Sequence, residues 1–350
     1  MLVWGLSHAS THRRSRSQSP FFRRTRTVSS YSLHDLAPFL FRYNDGQSDV
    51  FVARWDGLAY VAGFALALLL LKRFAARGYL RIAPGEIFDF TSTVALLGVL
   101  LGGRLGYLVL FDGERFSGNL GLLVQLSQGG TLFHGGLLGV AVVTAFQARE
   151  KKVSWLHLGD NLVTVAPLGI CLGRLASFMD GDLFGRVTRV PWAVLFPAEI
   201  HLPSFQPAQA TRLAVERLPL SSFDIMQVAH ATPRVMDELL LILNPRHPSQ
   251  LYAAALEGLL LFVILYTVRT RARQPPEGLL CGLFFFLHSV FHIGVGFFRE
   301  PRAADPMWLG LAQGQLLSLP LMLVGLGLIR WSLSRRALPA VLSEPAVVGE

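Results

Sequence analysis

Residues 279–298 read LLCGLFFFLHSVFHIGVGFF, twenty consecutive positions without an aspartate, glutamate, lysine or arginine. As a helix rising 1.5 Å per residue they would cover about 30 Å, the thickness of the hydrocarbon core of a bilayer. A surface helix of a soluble protein carries a polar face along its whole length. Here only His288, Ser289 and His292 interrupt an apolar cylinder, so the stretch predicts a transmembrane helix. Comparable runs lie at 57–71, 87–111, 132–146, 158–178, 251–268 and 309–331. The expected fold class is therefore an all-α integral membrane protein of about seven transmembrane helices. Composition agrees: of 350 residues 52% are hydrophobic and 16% charged, with a mean hydropathy of +0.44, whereas soluble domains carry about a quarter charged residues.

The charges set the orientation. Lys72, Arg73, Arg77 and Arg81 follow the first run, and Arg149, Lys151 and Lys152 the third. Arg269, Arg271 and Arg273 follow the fifth, and Arg330, Arg335 and Arg336 the seventh. The connection at 112–130 has Arg115 alone. Basic residues thus fall on alternate connections, as they do when those connections face the cytoplasm. Seven spans then put the N-terminus outside the cytoplasm and the C-terminus inside, with 337–350 as a cytoplasmic tail. This distribution accounts for the net charge of +9, and nucleic acid is not an expected partner. Cys171 and Cys281 both lie in apolar runs, which excludes a disulfide framework.

Two segments stand outside the spans. Residues 1–52 form a basic tail, with Arg13, Arg14, Arg16, Arg23, Arg24 and Arg26 among serines and threonines. They read as disordered chain or as a translation start placed too far upstream. Within the membrane domain at 53–336, the insert at 180–248 holds Pro191, Pro197, Pro203, Pro207, Pro219, Pro233, Pro245 and Pro248. It is too polar and too broken to cross hydrocarbon, and is expected as an extracytoplasmic head between the fourth and fifth spans. No internal repeat of the secondary-transporter kind is visible.

Ionisable residues inside spans are site candidates because hydrocarbon penalises them. They are Asp56, Arg104, His134, Arg174, His288, His292 and Arg299. Arg174 is followed by Ser177, Asp180, Asp182 and Gly185, and its guanidinium can bind a phosphate through two parallel hydrogen bonds. Alternatively, Arg174 pairs with Asp182 and merely orients the helix end. His134 stands in GGTLFHGGLLG at 129–139, where Gly135 and Gly136 provide either close helix packing or room for a lipid. His288 and His292 share one helix face, but HSVFH lacks the glutamate of the HExxH zinc pattern. Haem ligation by histidines from different spans, and with it electron transfer, is a further reading.

Four strings together resemble the prolipoprotein diacylglyceryl transferase family. They are GGRLGYLVLF from Gly102, LFHGGLLGV from Leu132, GRLASFMDGDLFGRVTRVPWAVLFP from Gly173 and PRHPSQLYAAALEGLLLF from Pro245, with support from FFREP and GQLLSLPLML. The resemblance implies transfer of a diacylglyceryl group from phosphatidylglycerol to the lipobox cysteine thiol of prolipoproteins, in a bacterial cytoplasmic (inner) membrane. It implies a monomer with no metal or organic cofactor, whose partners are the lipid and the precursor protein. The chemistry needs a base for the thiol and cations for the departing phosphate. The implied catalytic residues are His134, Arg174, Arg299 and His292. The implied substrate-binding residues are Arg104, Gly135, Gly136, Ser177, Asp182, Gly185, Arg246, His247, Gln250 and Tyr252. The chain departs from the family pattern at Asp56, Ala176, Ser177, Asp180, Asp182, Ala253, His288, His292 and Gly296. A paralogue that binds lipid or lipopeptide without transfer, and a transporter or haem-binding carrier, are the alternative functions.

Overall fold

The computed structural model describes residues 31–44, 49–125, 130, 132–202, 205, 226, 229–271, 275–301, 308 and 310–336. The arginines of the basic tail, the tail at 337–350 and much of the head lie outside these residues. Six helices are long and apolar enough to cross a membrane: α1 (Trp55–Ala76), α2 (Pro84–Phe111), α4 (Trp155–Met179), α6 (Ser249–Arg271), α7 (Leu279–Gly296) and α8 (Gln313–Arg336). The remaining expected span is α3 (Phe133–Glu150), a continuous helix of 18 residues. It falls short of the other six in apolar length because His134 stands in its first turn and Gln147, Arg149 and Glu150 in its last. A helix of 10 residues, α5 (Pro233–Ile242), belongs to the insert.

Glycine faces bring the helices together. A Cβ at Gly102 would lie 2.9 Å from the Gly139 Cα, and one at Gly106 would lie 2.6 Å from the Gly135 Cα, so α2 and α3 touch backbone to backbone. Gly282 and Gly325 do the same for α7 and α8: a Cβ at Gly325 would meet the Phe286 amide nitrogen at 2.5 Å. In lipid no hydrophobic force joins helices, and such close van der Waals packing is a main source of association. Outside the bundle, Leu69, Leu110, Leu138, Phe146 and Leu323 are each more than 60% exposed. In water these would be unfavourable; against acyl chains they form the solvent-facing surface.

At one end of the bundle the basic connections meet. Lys151 pairs with Glu86 at 2.8 Å and Arg81 with Glu277 at 2.6 Å. Buried Arg269 donates to the Tyr79 carbonyl and to Asn161 Oδ1. Asp160 accepts from the Gly278 and Cys281 amides at 2.7 and 2.8 Å, which satisfies the orphan donors at the start of α7. All these contacts lie on the connections that the charge pattern grouped together.

The other end carries the insert and two small sheets, which the all-helical expectation lacked. Strand β1 (Ser32–Leu33) pairs in parallel with β4 (Val194–Leu195), which pairs antiparallel with β5 (Pro245–Arg246). Strands β2 (Phe39–Asn44) and β3 (Asp49–Arg54) form a hairpin that runs directly into α1. The expected boundary at residue 52 therefore differs from the structure, in which the chain joins the fold from Tyr31. Tyr31 and Leu33 pack on Leu195, Met226, Ala229, Leu239 and Leu243. His34 stacks on Phe196 and its Nε2 lies 2.5 Å from the Phe178 carbonyl. Burial lowers its pKa.

Candidate functional site

The described residues bring the expected site residues together in two groups. The first lies between helices. Glu257 is fully buried on α6 in a π-helical turn, Ala254–Leu260, a distortion that re-aims side chains and recurs at functional sites. Gly258 beside it lets α6 approach α4, since a Cβ there would lie 2.5 Å from Cys171 Cβ. That approach brings Arg174 within reach: its Nη2 donates to Glu257 Oε2 at 3.2 Å. His292 Nδ1 lies 3.0 Å from the other carboxylate oxygen, Oε1. His288 stacks one turn away, with ring centroids 5.8 Å apart. Phe133 touches both His288, at 5.0 Å, and its neighbour His134, at 5.5 Å between rings. His134, Arg174, Glu257, His288 and His292 thus converge from α3, α4, α6 and α7.

Glu257 was not among the sequence candidates, and the protein partner weighed for Arg174, as the alternative to a phosphate, was Asp182. The ion pair forms instead across 83 positions of sequence, a distance that no local spacing rule reaches. The signal was present: Glu257 is an unpaired-looking carboxylate inside the apolar run LYAAALEGLLLF, and buried charge by itself marks a candidate. Asp182 instead offers its carbonyl to Gln250 Nε2 at 2.5 Å. Position 296 is also explained. A Cβ on Gly296 would lie 2.6 Å from Gln315 Nε2, so the amide of Gln315 fills the space that a side chain there would need.

The second group ties the insert to the helix ends. Gly185 is the crossing point: its amide donates to the His247 carbonyl at 2.8 Å, and it bridges the backbone of Arg299. A Cβ at Gly185 would lie 2.5 Å from the Phe298 carbonyl oxygen, so only glycine fits. Arg246 is buried, and both of its terminal guanidinium nitrogens are engaged in structure. It meets Glu199 at 2.7 Å, Glu300 at 3.0 Å and the Gly185 carbonyl at 3.1 Å, with its guanidinium 5.1 Å above the Phe184 ring. His247 Nδ1 is 3.1 Å from the Tyr252 hydroxyl, which accepts from Trp192 Nε1 at 2.7 Å. Burial lowers the pKa of His247. Asp180, at the end of α4, faces Arg54 at 3.2 Å, yet burial and the nearby Asp56 push its pKa up to about 7.

Four expected residues stand apart or act locally. Arg104 donates to the Leu122 and Gly130 carbonyls at 3.1 and 3.2 Å, which fixes the connection between α2 and α3. Gly135 and Gly136 face α2, where a Cβ on Gly135 would lie 2.7 Å from the Gly102 carbonyl oxygen. Of the two readings of these glycines, the contact is helix packing. Ser177 donates back to the Gly173 carbonyl at 3.1 Å.

This geometry has known relatives. The chain is 36% identical over 274 residues to the phosphatidylglycerol–prolipoprotein diacylglyceryl transferase of Geobacter sulfurreducens, covering 78% of this chain and 88% of that protein. It is 38% identical over 303 residues to the protein of the same name from Xanthomonas oryzae pv. oryzae, covering 84% and 92%. With that of Xanthomonas campestris pv. campestris the identity is 36% over 328 residues, 91% and 97% of the two chains. The family model for prolipoprotein diacylglyceryl transferase matches residues 48–331. That match takes in all six long helices, the insert and both residue groups, and the chain belongs to the prolipoprotein diacylglyceryl transferase family.

Proposed function

We propose that the chain transfers a diacylglyceryl group from phosphatidylglycerol to the lipobox cysteine thiol of prolipoproteins. A carbon–sulfur bond forms, the carbon–oxygen bond to phosphate breaks, and glycerol phosphate leaves with the electron pair. The observation that carries this reading is the Arg174–Glu257–His292 set inside the bundle. Arg174 spends the observed bond on one of its five N–H donors, and the others serve a phosphate oxygen. His134 and His292 are the bases assigned to the thiol proton. Arg299 stands beside Gly185 as the second cation. Gly135 and Gly136 act by packing α3 on α2; Arg104, Ser177, Asp182, Gly185, Arg246, His247, Gln250 and Tyr252 shape the lipid and peptide path, Arg246 by holding the insert in place.

The same reading makes α3 the seventh span, with the insert outside and the C-terminus in the cytoplasm of a bacterial inner membrane, and the protein a monomer. The meeting of basic connections at one end supports it, and a reporter fused after Arg336 that reads extracytoplasmic refutes it. Function is tested by labelled-lipid transfer to a lipobox peptide, together with growth rescue of a cell depleted of its own transferase. Binding of lipid without transfer in both assays would favour the non-catalytic paralogue.

A further inference from the structure

We propose that Glu257, His288 and His292 form a binding site for a divalent transition-metal ion of the zinc class, with one coordination position open to an anionic oxygen. The identity of that anion as a lipid phosphate rests on the transferase reading; the metal site does not.

The three residues each place a ligand atom within 4.8 Å of the other two. Glu257 Oε1 and His292 Nδ1 are 3.0 Å apart, close to the roughly 3.3 Å that separates two ligands on a tetrahedral zinc with bonds of about 2.0 Å. His288 completes the set by a small ring movement on the same face of α7. Two imidazoles and one carboxylate are the donor set of zinc sites that keep an open position, unlike the closed four-ligand structural sites.

A hydrogen bond alone already explains His292. It does not explain His288, which is 4% exposed and whose Nδ1 is buried without a hydrogen-bond partner among the described residues. A buried polar atom left without a partner is unfavourable, and a metal ion would give it one. Arg174 then acts as an outer partner: by holding Oε2 it orients the carboxylate and leaves Oε1 for the metal. Its positive charge opposes a dication, but Glu257 and an incoming phosphate both lie between them in charge terms. The guanidinium and the metal would grip the same phosphate from two sides.

The test uses the full chain in detergent, stripped by a chelator and titrated with Co2+. One equivalent should bind, with the visible absorption of a tetrahedral cobalt site. His292→Phe, Glu257→Gln and His288→Phe should each weaken binding at least about tenfold. Phenylalanine suits position 288 because the ring already stacks on Phe284 at 5.4 Å; His288→Gln is the second variant if folding suffers. Absence of stoichiometric binding, or binding indifferent to all three residues, overturns the site. Phosphatidylglycerol in nanodiscs should alter the cobalt spectrum, and an unchanged spectrum overturns the open position. Lipid transfer measured on the same preparation separates the two readings: cobalt bound as expected with no transfer in any metal state sinks the transferase reading and upholds the site.

Discussion

Neutralising Glu257 is the most direct perturbation of the intramembrane group. In Glu257→Gln the shape is kept, but Arg174 loses its counterion and His292 its acceptor carboxylate. Removing one partner of a buried pair costs about 3–5 kcal/mol. Because Arg174 remains 21% exposed at its side chain, the low end applies, about 3 kcal/mol. Arg174→Gln leaves a carboxylate at 0% exposure and should cost at least as much, about 3–5 kcal/mol. The double change Glu257→Gln with Arg174→Gln replaces an ion pair by a neutral amide pair, which is often close to neutral. The expected coupling, the two single costs less that of the double change, is therefore roughly 6 kcal/mol or more in a double-mutant cycle, read as unfolding in detergent over a denaturant or temperature series. All three variants should lose labelled-lipid transfer by about a hundredfold, since misplacing a positioning group by about 1 Å has that effect. Additive single effects would show that the two charges do not depend on each other, and full activity in Glu257→Gln would remove the carboxylate from the site.

Other perturbations follow from the same contacts. Gly106→Val would drive a side chain into the Gly135 backbone, where even a Cβ lies at 2.6 Å; α2 should separate from α3, with loss of folded yield in detergent, and a normal yield would contradict the packing. Asp180 has its pKa raised to about 7 in the fold, against about 3.9 unfolded. The native state then holds a proton that the unfolded state has lost, so this group's contribution to stability falls as pH rises from about 4 to about 7. Asp180→Asn should flatten that slope and gain stability at pH 8 relative to the natural chain; an unchanged slope refutes it. Arg246→Met should leave Glu199 and Glu300 without their shared cation and cost about 3 kcal/mol or more, seen as faster proteolysis of the insert. Lost lipid binding with an equally protease-resistant insert would make Arg246 a direct substrate contact.

What the sequence made legible was whatever lipid writes into composition. Six spans follow from apolar length, because a chain in hydrocarbon must satisfy its backbone within each helix and cover it with apolar side chains. The sidedness of the basic connections follows equally, since Lys151–Glu86 and Arg81–Glu277 close at one end. The partner of Arg174 was not legible, because α4 and α6 meet through Gly258 and Cys171, a contact that depends on tertiary packing. Nor was β1: Ser32–Leu33 is two residues of strand whose partner lies at Val194–Leu195, and no periodicity appears in so short a segment. Gly296 looked like a lost side chain, whereas Gln315 from α8 occupies its space and donates to the Ile293 carbonyl at 3.0 Å.

The charge balance of the intramembrane group constrains how it can work. Glu257 and Arg174 form one negative and one positive charge, so the pair is neutral when the three nearby histidines are neutral. A phosphodiester entering this space adds one negative charge in a low-dielectric wall, and burying an uncompensated charge costs several kcal/mol. The compensating charge must therefore come from Arg299, the second cation of the proposed mechanism, or arrive with the lipid. A proton taken up with the lipid supplies one positive charge. A metal ion on Glu257, His288 and His292 supplies two, and it gives the buried His288 ring a partner. The two routes respond oppositely to acid. Proton uptake strengthens phosphate binding as pH falls, whereas metal ligation weakens because protons compete for the imidazoles. The sign of the pH dependence of lipid affinity, measured with and without chelator, therefore decides which cation enters with the lipid.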